Sequence, residues 1–135
     1  TGEVRVRRYV SVADVGRVLN RASAEGQDEG AAIQGLGHAL SEELVYEDGQ
    51  PVNASMIDYH VPTIDEVPED FLTVLIESGT GPGPGGARGM GEGAILPVAP
   101  AIANALASRH GIRIRDLPLT PERVWRALQE KKAKP

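Results

Sequence analysis

The glycine-rich stretch at residues 79–93 constrains the fold of this chain more than any other feature, because it holds half of the sixteen glycines. Glycine and the intervening prolines, Pro82 and Pro84, do not continue a regular helix or strand, so the stretch is predicted to be a long irregular loop. Loops of this length are uncommon in compact domains and usually carry function. Because backbone without Cβ atoms can approach a flat or anionic ligand closely, this loop is the first candidate for a ligand site.

Short strands are predicted on both sides of the loop. Residues 3–12 alternate between apolar and polar side chains, which is typical of a half-buried strand. The run Phe71–Glu77 is mostly apolar and indicates a buried strand. Residues 44–46 lead into a turn at residues 47–49 and predict a hairpin. Residues 112–115 alternate again and favour a fourth short strand.

Three helices are predicted from apolar spacing and from their end signals. Residues 25–44 show helical periodicity, and a second helix runs from about Pro97 to Gly111, where glycine ends it. Thr120 followed by Pro121 is typical of a cap and first helical residue, and it opens a third helix. The chain is therefore expected to form one α+β domain, with a small mixed or antiparallel sheet of about four short strands covered by about three helices.

Composition excludes several functional classes. The net charge is -5 and aromatic residues make up only 4% of the chain, which argues against nucleic-acid binding. Without cysteine the chain offers neither disulfides nor thiolate metal ligands. No apolar run approaches the roughly 20 residues that cross a bilayer, so a soluble, cytoplasmic protein without a membrane span is expected.

Glu92 is the strongest single candidate for a catalytic residue. It lies between Gly91 and Gly93, so no neighbouring side chain crowds its carboxylate, which is free to accept a proton from a reacting group. A solvated loop glutamate is the alternative. Arg88, four residues earlier, could pair with an anion or with Glu92 itself.

Polar residues on the first predicted helix form a second candidate. Gln27, Gly30, Gln34 and His38 fall on one stripe away from the apolar face. Carboxamides beside a glycine can exchange hydrogen bonds with a heterocycle that approaches closely. A plain solvent-facing surface is the competing interpretation.

Two other kinds of site were weighed. Gly81, Gly83 and Gly86 match the dinucleotide pattern GxGxxG after a strand. Prolines inside the motif and the late start of the next helix argue against this interpretation. The three histidines are far apart in sequence and show no metal-ligand spacing, so the chain itself is expected to hold no metal.

Four segments, taken together, resemble the closing region of the molybdenum-binding subunit of the molybdenum hydroxylases, the xanthine oxidase and aldehyde oxidase type. They are EGQDEGAAIQGLGHALSEEL (25–44), NASMIDYHVP (53–62), GARGMGEGAILPVAPAIANAL (86–106) and IRDLPLTPERVWRAL (114–128). They occur in the family's order and spacing over nearly the whole chain. The resemblance implies an oxidoreductase that hydroxylates an aldehyde or N-heterocycle with oxygen taken from water.

The resemblance also implies roles for individual residues. Glu92 matches the family's glutamate beside the metal and would act as general base. Gln27 matches a glutamine that hydrogen-bonds the molybdopterin, and Gln34 lies on the same stripe. Arg88 and the backbone of Gly89, Met90 and Gly91 would shape the cofactor wall. Gly93 stands where xanthine-type members often have proline, which leaves the substrate open.

Family subunits are several times longer than this chain. Residues 1–135 are therefore expected to be a C-terminal domain that shares a molybdopterin-type cofactor with the rest of its subunit and is inactive alone. Iron-sulfur (2Fe-2S) and flavin (FAD) partner domains or subunits would remove the electrons. A binding or assembly module of the same fold, without catalysis, is the alternative.

Overall fold

The computed structural model describes residues 1–133 and has the α+β architecture predicted from the sequence. In chain order its regular elements are strand β1 (Arg8–Asp14), helix α1 (Arg21–Leu40), strands β2 (Tyr46–Glu47), β3 (Gln50–Pro51) and β4 (Asp70–Ile76), and helices α2 (Val98–His110) and α3 (Pro121–Ala133). Short 3-10 turns lie at Ile64–Glu66 and Pro84–Gly86. The predicted α+β class, with four strands and three helices in this part of the chain, is confirmed.

The four strands form two separate sheets. β1 and β4 are distant in sequence but pair in parallel, from Arg8 opposite Asp70 to Asp14 opposite Ile76. β2 and β3 form the predicted antiparallel hairpin at the turn around Gly49. The carboxyl ends of β1 and β4 therefore meet at one edge, where the glycine loop begins.

The predicted strand at residues 112–115 is wrong. Ile112 is buried and Ile114 is half-buried, and both contact the hydrophobic core. The alternation reflects this packing, but no strand is assigned to the segment. A strand requires hydrogen bonds to a neighbouring strand, which the side-chain pattern alone does not report.

Helix α1 begins and ends earlier than its apolar periodicity predicts. Asn20 caps it, because its Oδ1 accepts a hydrogen bond from the Ser23 amide at 3.0 Å. The helix ends at Leu40, and the Gly37 carbonyl then accepts from both Ser41 and Glu42. Leu44, the last residue of the predicted helix, lies beyond this end and is 43% exposed.

Small residues bring α1 and α2 into close contact. A Cβ atom on Gly35 would lie 2.5 Å from Val98 Cγ2, so glycine is needed where the two helices meet. Ala32, Ala39 and Val98 are fully buried at the same core. The surface of α1 that packs against α2 is thus rich in alanine and glycine. A pattern of large apolar residues at helical spacing does not detect such a surface.

Helix α3 completes the core. The Thr120 cap is confirmed, because its Oγ1 accepts a hydrogen bond from the Arg123 amide at 3.3 Å. Leu119, which is 1% exposed, donates its amide to the Ala39 carbonyl at 2.6 Å and ties this segment to the end of α1. Within residues 1–133, none of the helices combines the length and the apolar character needed to cross a membrane.

Candidate functional site

The glycine loop folds back on the carboxyl ends of β1 and β4. The Gly79 amide donates to the Gly16 carbonyl at 2.7 Å, and the Arg88 amide donates to the Val15 carbonyl at 2.9 Å. The loop is therefore irregular, as predicted, but both of its sides are hydrogen-bonded to the residues that follow β1. This attachment fixes where its second half, residues 87–93, leaves the sheet.

The glycines of the loop fall into two groups. A Cβ atom on Gly81 or Gly86 would overlap the carbonyl oxygens of Ala87 or Gly79, and Gly86 has a φ of +85°. The fold itself requires glycine at these positions. Around Gly89, Gly91 and Gly93, in contrast, a Cβ atom would meet nothing within 4 Å. Within residues 1–133, no neighbouring atom requires glycine at these three positions, which border open space.

The first half of the loop does not suit a nucleotide phosphate. The Gly81 amide donates to Gly86, the Gly83 amide to Ala87, and the Gly86 amide to Gly83. A phosphate site needs such amides free, at the start of a helix. Because these donors are used internally and α2 begins only at Val98, the GxGxxG interpretation is rejected.

Asp14 anchors the second half of the loop. Its Oδ1 accepts hydrogen bonds from the Gly16 amide at 3.0 Å and the Ser78 hydroxyl at 2.9 Å. Arg88 Nε lies 3.6 Å from Asp14 Oδ2, and Arg88 Nη2 donates to Thr80 Oγ1 at 2.8 Å. Arg88 was expected to pair with an anion or with Glu92; in the structure its recorded partners are Asp14 and Thr80.

The Asp14 carboxylate is stabilised in its charged form. The Gly16 amide, the Ser78 hydroxyl and the nearby Arg88 hold its pKa below the ordinary value of 3.8 and outweigh desolvation. A depressed pKa in the folded state stabilises the fold above pH 3.8, and this contribution is lost as the pH falls through the depressed value.

Asp14→Asn is therefore expected to destabilise the chain at pH 7, and to do so less at a second pH below 3.8, where the wild-type carboxyl begins to take up a proton as the pH approaches its lowered pKa. Urea unfolding of both proteins at the two pH values measures the change in midpoint. Glu130→Gln, on the exposed surface of α3, is the matched control and should show no such pH dependence. A midpoint difference of equal size at both pH values would contradict the assignment.

Gln27 connects α1 to the residue before Glu92. Its Nε2 donates to the Gly91 carbonyl at 3.0 Å across 64 positions of sequence. Gln27 also lines an open cleft of about 350 Å³ between the start of α1 and the loop. The other lining residues are Val15, Arg17, Val18, Leu19, Asn20, Ser23, Ala24, Ala87, Arg88 and Met90. Three predicted residues, Gln27, Arg88 and Met90, thus share one cleft, and Gly89 and Gly91 flank Met90.

Glu92 lies at the exposed turn between this cleft and α2. Its backbone carbonyl accepts a hydrogen bond from the Ile95 amide at 3.3 Å. Among residues 1–133, no hydrogen bond or ion pair is recorded for its carboxylate. The side chain that was singled out as a base is therefore held through its backbone and left free at its oxygens, which is the state that proton abstraction requires.

The remaining predicted residue, Gln34, lies outside the cleft. The stripe of Gln27, Gly30, Gln34 and His38 is exposed along its length, as predicted. Gln34 is about 10 Å further along α1 than Gln27. His38 Nε2 lies 3.8 Å from Glu42 Oε2 beyond it. Only the Gln27 end of the stripe reaches the loop.

Sequence reasoning missed the residues that support the cleft, namely Asp14, Asn20 and Thr80. Asn20 before a helical pattern is a recognisable cap signal. Asp14 and Thr80 carried no signal, because their role depends on the parallel pairing of β1 with β4. Asn53 and Tyr59 tie down the connection after α1, because Asn53 Nδ2 donates to the Glu43 carbonyl and the Tyr59 hydroxyl donates to the Glu42 carboxylate.

A larger cleft, of about 500 Å³, lies elsewhere, beside Ser41, His60, Glu66 and Leu119. His60 Nε2 is 3.1 Å from both carboxylate oxygens of Glu66, which also accepts from the Thr63 amide. Those contacts close a turn of the connection between β3 and β4. The smaller cleft at Gln27 is the better candidate site, because it brings together three predicted residues and Gln27 connects it to the Gly91 carbonyl, one residue before Glu92.

Comparisons with known proteins find relatives of this chain. Residues 1–68 match the molybdopterin cofactor-binding domain family. The chain is 41% identical over 126 residues to the aldehyde oxidoreductase molybdenum-binding subunit PaoC of Escherichia coli K12, covering 92% of this chain and 17% of that protein. It is 39% identical over 132 residues to 6-hydroxypseudooxynicotine dehydrogenase complex subunit gamma of Paenarthrobacter nicotinovorans, covering 96% and 17% respectively.

A solved structure shows the same fold. The aldehyde oxidoreductase from Desulfovibrio desulfuricans ATCC 27774 superposes with a TM-score of 0.85 at 38% identity, over 94% of this chain and 14% of that one. The chain thus spans only 14% to 17% of the length of these relatives.

Proposed function

This chain belongs to the molybdenum hydroxylase family, and we propose that it forms the C-terminal part of a larger molybdenum-binding subunit, where it supplies the catalytic base. The substrate proposed for that subunit is an aldehyde or an N-heterocycle, hydroxylated with oxygen from water. The observation that carries the proposal is the hydrogen bond from Gln27 to the Gly91 carbonyl, immediately before Glu92.

The cleft fits a flat, hydrogen-bonding cofactor such as molybdopterin. Gly89 and Gly91 leave open space where a Cβ atom would otherwise project. Gln27 uses its Nε2 within the chain, and no described residue donates to its Oε1, which can accept a hydrogen bond from a heterocycle. Arg88 is 41% exposed at the same cleft and brings positive charge to an anionic group. Gln34 would contact only a more distant part of the ligand.

The proposed role of Glu92 follows from its surroundings. When bound, the molybdenum centre would activate water-derived oxygen and accept the two electrons that hydroxylation releases. The Glu92 carboxylate has no recorded partner in residues 1–133 and would take up the proton released in that step. Gln27 would keep the Glu92 backbone beside the cofactor wall, so that both parts of the site move together.

The isolated chain is proposed to be inactive, because the remaining cofactor contacts and the substrate pocket would come from the rest of the subunit. We further propose that 2Fe-2S and FAD domains or subunits act as electron acceptors and that the assembly is cytoplasmic. The name of the relative PaoC describes it as a subunit, which supports the assignment to an assembly.

The proposal is tested on the complete subunit, purified from a host that makes the cofactor. Elemental analysis is expected to find about one molybdenum per subunit, and assays with aldehydes and N-heterocycles in ¹⁸O-labelled water, with an added artificial electron acceptor, should give labelled product. The chain of 135 residues expressed alone serves as the control and should hold no molybdenum. A complete subunit that contains no molybdopterin would refute the proposal, and one that binds it without turnover of any substrate would favour a non-catalytic module.

A further inference from the structure

One face of the β1–β4 sheet is apolar and exposed. On this face Val10 lies opposite Leu72 and Val12 opposite Val74, and Ile76 follows at the end of β4. The exposed fractions of these five side chains range from 38% for Val74 to 60% for Val12. We call these five residues the outer sheet face.

The opposite face of the same sheet packs on α1 and is also mainly apolar, with the half-buried side chains of Tyr9, Ala13, Phe71 and Leu75. Ser11 is buried there, and the Thr73 hydroxyl donates at 3.0 Å to Asp28, which is 1% exposed. A sheet with one face in water normally turns its apolar residues inward and its polar residues outward. Because β1 and β4 carry mainly apolar side chains on both faces, as strands that are covered on both sides do, water is not the natural environment of the outer sheet face.

The pairing of the strands leads to the same conclusion. Parallel sheets occur almost only with both faces covered, and a sheet of two strands is too small to be stable by itself. No third strand joins β1 or β4 among residues 1–133. The sheet therefore has the character of a fragment from a buried, larger layer.

We propose that the outer sheet face packs against aliphatic side chains from the remainder of the molybdenum-binding subunit, an inference that rests on the proposed function. The relatives are six to seven times longer than the matched region, so they contain ample chain to cover it. A second copy of this chain is the competing occupant.

The borders of the face support this occupant. One end is closed by the ion pair of Arg8 and Asp70 at 2.8 Å, which suits the rim of an interface. The other end reaches Asp14, opposite Ile76, and Asp14 holds the glycine loop through Arg88. A body packed on this face would therefore border the residues that attach the glycine loop to the sheet.

Thiol labelling of the complete subunit tests the proposal. This chain has no cysteine, so Val12→Cys on β1 and Val74→Cys on β4 each add one thiol to it, and mass spectrometry of its peptides reads out the labelled position. Both thiols are expected to react at least about tenfold more slowly in the native subunit than in the same subunit unfolded in urea. Glu130→Cys, exposed on α3, is the matched control for reagent access. The two variants are tested separately, so that misfolding of one leaves the other informative.

Each outcome has a defined meaning. Native labelling of both thiols as fast as in the unfolded subunit overturns the proposal. Protection that is lost on dilution, together with a fall in molecular mass, also overturns it, because a second copy then covers the face. Molybdenum content of the same samples reports separately on the proposed function: protected thiols in a subunit without molybdenum would support the docking surface and contradict the function.

Discussion

Glu92→Gln in the complete molybdenum hydroxylase is expected to lower kcat by about 10² to 10⁴-fold, the usual contribution of a general base. Glutamine has the shape of glutamate but cannot accept the proton. In residues 1–133 the carboxylate has no recorded partner, so the change should break no contact within the chain. The Gln27–Gly91 hydrogen bond involves a backbone carbonyl and should persist.

Turnover and molybdenum content are measured together on the wild type and the variant. Molybdenum content is expected to be unchanged, which separates loss of the base from loss of the cofactor. Glu130→Gln, on the exposed surface of α3 and far along the sequence from the site, controls for the loss of one charge. Wild-type turnover in Glu92→Gln would show that this residue is not the base, and parallel loss of metal would assign it to cofactor retention.

Two glycine substitutions are expected to separate folding from ligand binding in the same loop. Gly86→Ala should destabilise the chain by more than about 2 kcal/mol, because a φ of +85° costs a residue with a Cβ atom about 1–2 kcal/mol and the new atom overlaps the Gly79 carbonyl oxygen. Gly91→Ala should change stability by less than about 0.5 kcal/mol, since its Cβ atom would meet nothing within 4 Å.

Among variants that fold, Gly91→Ala should retain less cofactor than Gly86→Ala, which is the reverse of their expected order in stability. Urea unfolding of the chain gives the stability difference, and elemental analysis of the complete enzyme gives the molybdenum content. Gly91→Ala should retain the stability of the wild type but bind less cofactor, because its methyl group occupies the space proposed for it. Full molybdenum content in Gly91→Ala would mean that the cofactor wall lies elsewhere.

The elements with local signals could be predicted from the sequence. The glycine loop, the Thr120 cap and the end of α2 at Gly111 each depend on residues close together in the chain, so their types alone were sufficient. The isolation of Glu92 between two glycines is also a local property. The resemblance to the molybdenum hydroxylases rests on linear motifs and was confirmed by the family match.

Features that join distant parts of the chain were not predictable in this way. Nothing in β1 or β4 separately indicates that they pair in parallel, that Leu72 and Val74 remain exposed, or that Asp14 receives Ser78 and Arg88. The prediction of a strand at residues 112–115 was wrong for the same reason. Alternating side chains indicate burial of one face but not the presence of a neighbouring strand.

The sequence by itself determined the class of fold, the family and the identity of the candidate base. Glycine-rich segments, capping residues and linear motifs each depend on residues that lie close together in the chain. Only the tertiary structure decided that Gln27 meets Gly91, that Gln34 stays outside the cleft, and which glycines the fold requires and which border open space. Those relations are distances between atoms far apart in sequence, and they exist only after the chain has packed α1 against the loop that follows β4.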